Sequence, residues 1–245
     1  MPHCARVLFP FPNGPIFVRM SRTPFEPTVE RLPREIPVFP LSGVLLLPRG
    51  RLPLNIFEPR YLAMVEDALA GDRMIGMIQP TDPASRAKAP ALYETGCAGR
   101  ITSFSETDDG RFLITLTGVC RFSVLRELPA ADGGYRRVVP AWERFAADLE
   151  ADETDTPGAL DRERLTAGLK CYFKAQGIQA NWDHIQCTPD ERLVTSLAMV
   201  CPFEACEKQA LLEAPDLAER AKLLIALIEM AILDGREGDR TLHRH

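Results

Sequence analysis

The stretch from Ile36 to Leu69, IPVFPLSGVLLLPRGRLPLNIFEPRYLAMVEDAL, is one of the most apolar parts of the chain although it contains five prolines. Proline removes a backbone donor and interrupts helices and strand ladders. The runs IPVF, VLLL and LPLNIF are short, rich in apolar residues, and bounded by proline or glycine. This pattern predicts several short, bent strands with prolines at their ends, edges and turns.

A helix is predicted directly after these strands. Pro59 suits the first helical position after Glu58, and Gly71 suits the end of the helix. One face of this helix is apolar and consists of Tyr61, Leu62, Val65, Ala68 and Leu69. The run MIGMI then predicts another strand, and the polar segment from Pro80 to Pro90 predicts a loop.

The hydrophobic period becomes two in the runs CAGRITSF, RFLITLTG, VCRFSVL and YRRVVPAW. Asp109-Gly110 is a hairpin turn signal between the first two runs, and Gly118 is expected to interrupt the chain between the second and third. Six to eight strands with one early helix predict a compact, barrel-like β domain over residues 35–145.

The remaining periodicity is helical. An acidic linker is predicted at residues 146–158, a helical subdomain at 159–235 and a tail at 236–245. Gly177 is expected to end the first of these helices, Pro202 to open a later one and Gly235 to end the last. Thr188 and Glu191 are expected to form a capping box with Pro189 at the first helical position.

Residues 1–34 are proline-rich and have little periodicity, which predicts an irregular leader. Two alternatives stay open for its beginning. Either Met20 is the native start and residues 1–19 are not native, or residues 1–34 are a genuine extension.

Charge is unevenly distributed along the chain, whose net charge is −5. Acidic and basic residues nearly balance from Glu35 to Glu143, whereas Ala146 to Asp234 contains 17 acidic and 8 basic residues. This difference indicates two units of different surface chemistry. The charge distribution of neither unit predicts a concentrated basic face. Nucleic acid is therefore disfavoured as a partner.

Seven cysteines occur without C-x-x-C spacing and without a recognisable signal peptide. They indicate reduced thiols in a cytoplasmic protein. Because no apolar run approaches the roughly 18–20 residues that span a bilayer, no membrane association is expected.

Motifs of common catalytic sites are missing from the sequence. It contains no Gly-Lys dipeptide, GxSxG, HExxH or GxGxxG motif, so no ATPase activity and no cofactor are expected. Ser196 and Lys208 could only form a dyad by chance, since Ser196 lies in the middle of a predicted helix. No catalytic residues are therefore assigned, and no protease activity is expected.

A zinc site was weighed against a packing role for the same residues. The four possible ligands are His184, Cys187, Cys201 and Cys206. Their spacing is poor for a structural zinc site, so packing is favoured and no metal is predicted. Arg121 stands among apolar strand residues, and its expected role is structural, either paired with a carboxylate such as Glu58 or facing solvent.

Taken together and in order, four segments resemble the Lon N-terminal (substrate-binding) domain family in its stand-alone bacterial form. They are IPVFPLSGVLLLPRGRLPLNIFEPRY, YETGCAGRI, LTGVCRF and EKQALLE. The resemblance implies an α+β fold, with a PUA-like β pseudo-barrel followed by an all-helical subdomain. It also implies a module that recognises substrates and assists assembly. In Lon proteases the module precedes a AAA+ motor and a Ser–Lys protease domain, which are not expected here.

The leading hypothesis is a non-enzymatic module that recognises protein or peptide segments with exposed apolar residues. It could act as an adaptor in proteolysis or quality control. A PUA-like protein that binds nucleic acid or a small ligand is the alternative. Phe57, Arg60 and Tyr61 are the candidate binding residues, because Phe57 and Tyr61 could share a helix face beside Arg60. The competing interpretation is that the two aromatic residues fill the core and Arg60 forms a structural ion pair.

Overall fold

The computed structural model of the protein describes residues 28–85, 87, 89–150, 160–177 and 180–242. Met20 and most of the predicted leader lie outside the described residues, as does most of the predicted acidic linker. The strands are β1 (Ile36–Pro40), β2 (Arg51–Ile56), β3 (Met74–Ile78), β4 (Thr95–Glu106), β5 (Phe112–Leu128) and β6 (Arg136–Ala141). The helices are α1 (Pro59–Ala70), α2 (Arg162–Gln176), α3 (Trp182–Cys187), α4 (Asp190–Val200), α5 (Ala205–Glu213) and α6 (Leu217–Leu242). The predicted α+β fold class is confirmed.

Six strands form one sheet in the order β2-β5-β4-β3-β1-β6, and a further pairing of β5 with β6 closes five of them into a ring. Only β1 and β3 are parallel. The long strand β5 makes closure possible, because its first half pairs with β2 and β4 and its last residues pair with β6. Register shifts in β4 and β5 mark the irregular points of the ladder, which is where strands bend. β2 remains outside the ring as an edge strand.

Gly118 does not interrupt a strand, contrary to the prediction, since it lies inside β5. A Cβ atom at this position would lie 2.0 Å from the carbonyl oxygen of Leu47. The glycine therefore allows the segment before β2 to approach the strand closely. Substitution by any larger residue must displace that backbone.

The run VLLL was predicted as a strand, and that prediction is wrong. Leu45, Leu46 and Leu47 are buried, but they belong to no strand. They pack in the main hydrophobic cluster, which also contains residues of α1, α2, α4, α5 and α6. A short apolar run can be buried either as a strand or as a segment that forms no ladder. Its composition therefore does not distinguish a strand from an irregular buried segment.

Three predicted helix boundaries are also wrong. Pro189 is the N-cap of α4 and no side chain caps that helix, while Thr188 donates a 2.7 Å hydrogen bond to the carbonyl of His184. The capping box is instead formed by Glu204 and Glu207, so α5 begins at Ala205 and not at Pro202. Beyond Gly235, helix α6 continues to Leu242, because one glycine weakens a helix without necessarily ending it. Gly177, by contrast, ends α2 in a left-handed conformation as predicted.

Arg121 joins the barrel to the helical part. Its guanidinium binds Asp148 through two nitrogens, at 2.9 and 2.8 Å, and both side chains are almost fully buried. Its Nη1 donates to two carbonyl oxygens at the end of α5, that of Leu212 in the last turn at 3.0 Å and that of Ala214 just after the helix at 2.6 Å. The predicted pairing with Glu58 is therefore wrong, whereas the structural role is confirmed. Asp148 lies in a 3-10 segment, Glu143–Leu149, that includes the first residues of the predicted linker.

The EKQALLE segment forms most of α5 and provides further contacts between the two parts. Gln209 donates a 3.2 Å hydrogen bond to the carbonyl of Thr95 in β4. Lys208 is buried and donates a 2.9 Å hydrogen bond to the carbonyl of Gly43. These polar contacts fix the orientation of the helical part on the barrel, because each satisfies a group that burial would otherwise leave without a partner.

Candidate functional site

The start of α1 places the three predicted site residues in different surroundings. Phe57 precedes the helix, which begins at Pro59, and is 62% exposed. Tyr61 lies inside the helix, is 6% exposed, and packs its ring 4.2 Å from that of Phe39. The two aromatic residues therefore do not share a helix face as predicted. Tyr61 belongs to the core, and Phe57 does not.

Phe57 lies beside the tip of the β4–β5 hairpin. The guanidinium of Arg111 lies 6.0 Å from the centre of the Phe57 ring. On the same hairpin, Phe104 is 43% exposed and packs edge-on against Phe112, with 5.1 Å between ring centres. We call these four residues, Phe57, Phe104, Arg111 and Phe112, the hairpin patch.

The hairpin patch is where exposed aromatic residues concentrate in the described part of the chain. The other exposed large apolar residues there are Leu113, Leu125, Val200, Met230 and Leu233. Leu113 belongs to the same hairpin and lies on the face opposite Phe112 and Ile114, which by the alternation of side chains is also the face of Arg111. The remaining four lie away from the tip. Clustered exposed aromatic side chains mark interaction surfaces more often than single exposed residues do.

Strand β2 borders the hairpin patch and has a free edge. The ladder with β5 pairs Leu52, Leu54 and Ile56 with Leu116, Ile114 and Phe112. Gly118 donates to Gly50 at 2.8 Å, so the even-numbered residues of β2 direct their backbone groups towards β5. Pro53 therefore lies on the free side, where its missing N–H breaks the row of donors. This placement weakens the edge as a template for another strand and leaves side chains as the main recognition groups.

Arg60 and Tyr61 line a separate cavity of about 210 Å³, which we call the Tyr61 cavity. Its other lining residues are Pro40, Pro80, Ser85, Ala87, Pro90, Gly134, Tyr135 and Arg136. The cavity thus lies between the first turn of α1, the loop after β3 and the beginning of β6. Among the described residues that line it, the two charged ones are arginines.

Each arginine of the Tyr61 cavity is partly held by a glutamate. Arg60 donates from Nε to Glu58 at 3.0 Å and lies with its guanidinium 4.5 Å from the centre of the Tyr61 ring. Arg136 binds Glu127 through two nitrogens, both at 2.6 Å. Burial raises the pKa of the Tyr61 hydroxyl, which therefore keeps its proton at neutral pH and can donate a hydrogen bond.

The other candidate chemistry is not assembled. Ser196 is exposed, whereas Lys208 is buried against backbone carbonyls, so the two do not form a dyad. Among the possible zinc ligands, Cys201 is buried while Cys187 and Cys206 are exposed. Within the described residues, no three His, Cys, Asp or Glu side chains are grouped in a way that could hold a metal ion. No helix in that part of the chain has the length and apolarity to span a membrane.

The model of the ATP-dependent protease La (LON) substrate-binding domain matches residues 35–230, which is most of the chain. The chain belongs to this family. A solved structure of a Lon N-terminal domain protein from Xanthomonas campestris is 26% identical, and the alignment covers 78% of this chain and 97% of that chain with a TM-score of 0.51. The N-terminal domain of a Mycobacterium avium complex Lon protease, at 16% identity and a TM-score of 0.52, supports the fold over 80% of this chain and 98% of that chain.

Curated relatives include Lon protease 2 from Sorangium cellulosum and from Myxococcus xanthus. They are 26% and 27% identical over 85% and 81% of this chain. The chain spans about a quarter of the length of these relatives, 26% and 24%. The similarity therefore concerns a substrate-binding region and does not favour the nucleic-acid or small-ligand alternative.

Proposed function

We propose that the protein is a non-catalytic recognition module that binds polypeptide segments with exposed apolar residues, and that the hairpin patch is its contact surface. The observation that carries this proposal is the exposed ring of Phe57 beside the guanidinium of Arg111, with a second exposed ring, that of Phe104, on the same hairpin. Membership of a substrate-binding family supports a protein substrate. Such a module would serve as an adaptor or substrate receptor in cytoplasmic proteolysis or quality control.

The hairpin patch has the chemistry that apolar recognition requires. Two partly exposed phenylalanine rings, Phe57 and Phe104, can bury further area against an incoming side chain, which is the main favourable term in association. Arg111 can stack on an aromatic ligand or donate to a backbone carbonyl, since its side chain is 50% exposed. Its ion pair with Asp109, at 2.8 Å, holds the guanidinium beside the patch.

The first prediction concerns binding of an unfolded chain. We expect the double variant Phe57→Ala/Phe104→Ala to bind reduced, carboxymethylated α-lactalbumin at least about tenfold more weakly than the wild type, because each ring contributes apolar area to the contact. The melting temperature should change little, because both side chains are already substantially exposed. Fluorescence anisotropy of the labelled unfolded chain measures the affinity.

The matched control removes two exposed apolar residues outside the hairpin patch, as in Leu125→Ala/Val200→Ala. This control should bind as the wild type does. If both double variants lose affinity equally, the contact is unspecific and the hairpin patch is not the site. Tighter binding of RNA than of the unfolded chain would instead favour the nucleic-acid alternative.

A further inference from the structure

We infer that the Tyr61 cavity binds the C-terminal residue of a polypeptide, with its apolar side chain in the cavity and its carboxylate against Arg60 and the Tyr61 hydroxyl. The inference rests on the proposed function, because it specifies one part of a bound polypeptide. It concerns a second site, beside the hairpin patch and separate from it. Residues 57–61 connect the two, since Phe57 belongs to the patch and Arg60 and Tyr61 line the cavity.

The Tyr61 hydroxyl is the first group that can bind a ligand in the cavity. Tyr61 is almost entirely buried, yet its hydroxyl forms no hydrogen bond with the described part of the chain. In that part, Arg137 Nε is the one fully enclosed side-chain polar atom without a partner, so the Tyr61 hydroxyl must reach open space. The open space that Tyr61 lines is the cavity. A protonated hydroxyl there can donate a hydrogen bond to a ligand in the cavity.

The charges around this hydroxyl indicate that the acceptor is an anion. Among the described residues, the charged residues that line the cavity are Arg60 and Arg136, and the nitrogens of Arg136 are bound to Glu127 and, at 2.7 Å, to the carbonyl of Pro90. Arg60 uses Nε and Nη2 for Glu58, so Nη1 is left over for another acceptor. The first turn of α1 contains no acidic residue, and no side chain caps it. The N-cap residue Glu58 offsets part of the positive charge of this helix end, and the donor that stays available to a ligand is Arg60 Nη1.

The walls of the cavity indicate that this anion is attached to an apolar group. Four of the described lining residues, Pro40, Pro80, Ala87 and Pro90, have small apolar side chains. The volume of about 210 Å³ exceeds the roughly 150 Å³ of an engineered apolar cavity that accepts benzene. A side chain the size of leucine or phenylalanine therefore fits. The C-terminal residue of a polypeptide combines such a side chain with a carboxylate a few bonds away.

The inference is tested with three octapeptides that differ only at their last residues. One ends in Leu-Phe with a free carboxylate, the second is its C-terminal amide, and the third is the amide with a glutamate placed before Leu-Phe. We expect the free acid to bind about ten- to a hundredfold more tightly than either amide, because an amide cannot form the charge-assisted hydrogen bonds of the carboxylate. Isothermal titration calorimetry measures the three affinities. Equal affinities would overturn the inference, and so would a glutamate-containing amide as tight as the free acid.

Substitutions of the residues that line the cavity, or that contact them, provide a second test. Arg60→Gln should reduce the affinity for the free acid to that of the amide, and Tyr61→Phe should reduce it several-fold while keeping the ring. Glu58→Gln should increase the affinity for the free acid, because it removes a negative charge beside Arg60 that repels the peptide carboxylate. The matched control is Arg164→Gln, which removes an exposed arginine that is also paired with a single glutamate, Glu229. Loss of affinity in this control as large as in Arg60→Gln would overturn the inference.

The two proposals fail in different ways. If acid and amide bind equally and both lose affinity in Phe57→Ala/Phe104→Ala, the cavity assignment is wrong while the hairpin patch stands. If the acid is preferred but the patch variant binds unfolded chains normally, the cavity assignment stands and the patch is not the contact surface. Inorganic phosphate that binds as tightly as the free acid would overturn the cavity assignment, because no chain terminus would then be needed.

Discussion

Replacing Arg121 by alanine is expected to lower the free energy of unfolding by about 3–5 kcal/mol. The guanidinium is 5% exposed and binds Asp148, itself 9% exposed, at 2.8 and 2.9 Å. Without the guanidinium, the buried carboxylate of Asp148 keeps only the backbone N–H of residue 121 among these donors, and the carbonyls of Leu212 and Ala214 lose the hydrogen bonds from Arg121. An isolated buried charge is costly because its hydration is lost and nothing replaces it. Urea denaturation followed by circular dichroism measures the change.

The comparison variant for this prediction is Arg164→Ala. Arg164 also binds a carboxylate through two nitrogens, both at 2.7 Å from Glu229, but the pair is exposed. Water replaces an exposed partner, so we expect a loss that is small beside that of Arg121→Ala. Losses of similar size in the two variants would show that burial does not determine the contribution of Arg121.

Tyr61→Ala is expected to destabilise the protein by about 3–5 kcal/mol, as for other large aromatic side chains removed from a core. Its ring is buried against Phe39 and belongs to the main hydrophobic cluster. Phe57→Ala should cost far less, because its ring is 62% exposed. Thermal unfolding of the two variants side by side measures the contrast.

Tyr61→Phe separates the two roles of this residue. It keeps the packed ring and removes only the hydroxyl, so we expect a change in stability below about 1 kcal/mol. A large loss of stability would mean that the hydroxyl has a structural partner, which would contradict the account of the Tyr61 cavity. An unchanged stability in Tyr61→Ala would mean that the ring does not belong to the core.

The sequence predicted well where a local pattern determines the structure. The run MIGMI, the helix that begins at Pro59, the turn at Asp109-Gly110 and the helix end at Gly177 all follow from short-range chemistry. Prediction from the sequence failed where contacts between residues far apart in the chain determine the structure. The run VLLL is apolar because it packs under β5, and Gly118 is a glycine because Leu47 crosses there at close range. The residues next to these positions in the sequence do not indicate either contact.

Of the candidate site, the sequence indicated Phe57 but not Phe104 or Arg111, because contacts between distant residues also determine the site. Spacing alone suggested that Phe57 and Tyr61 share a helix face, whereas the helix begins between them. Phe104 and Arg111 were missed, although the predicted hairpin turn brings Phe104 opposite Ile114 and next to Phe112. Following the register across that turn could have indicated Phe104. Nothing in the sequence brings Arg136 to Tyr61, because β6 and α1 meet only in the closed barrel.

The most direct test of the central claim is site-specific photocrosslinking at the hairpin patch. A photoreactive p-benzoylphenylalanine is placed at position 57 in one sample and at position 125 in another, since both side chains are highly exposed in the native protein. Each sample is irradiated with the same labelled, unfolded carboxymethylated α-lactalbumin, and the adducts are quantified by mass spectrometry. The account predicts several-fold more adduct from position 57, which excess unlabelled unfolded chain suppresses. Equal yields from the two positions, or a yield at position 57 that competitor leaves unchanged, would contradict recognition at this surface.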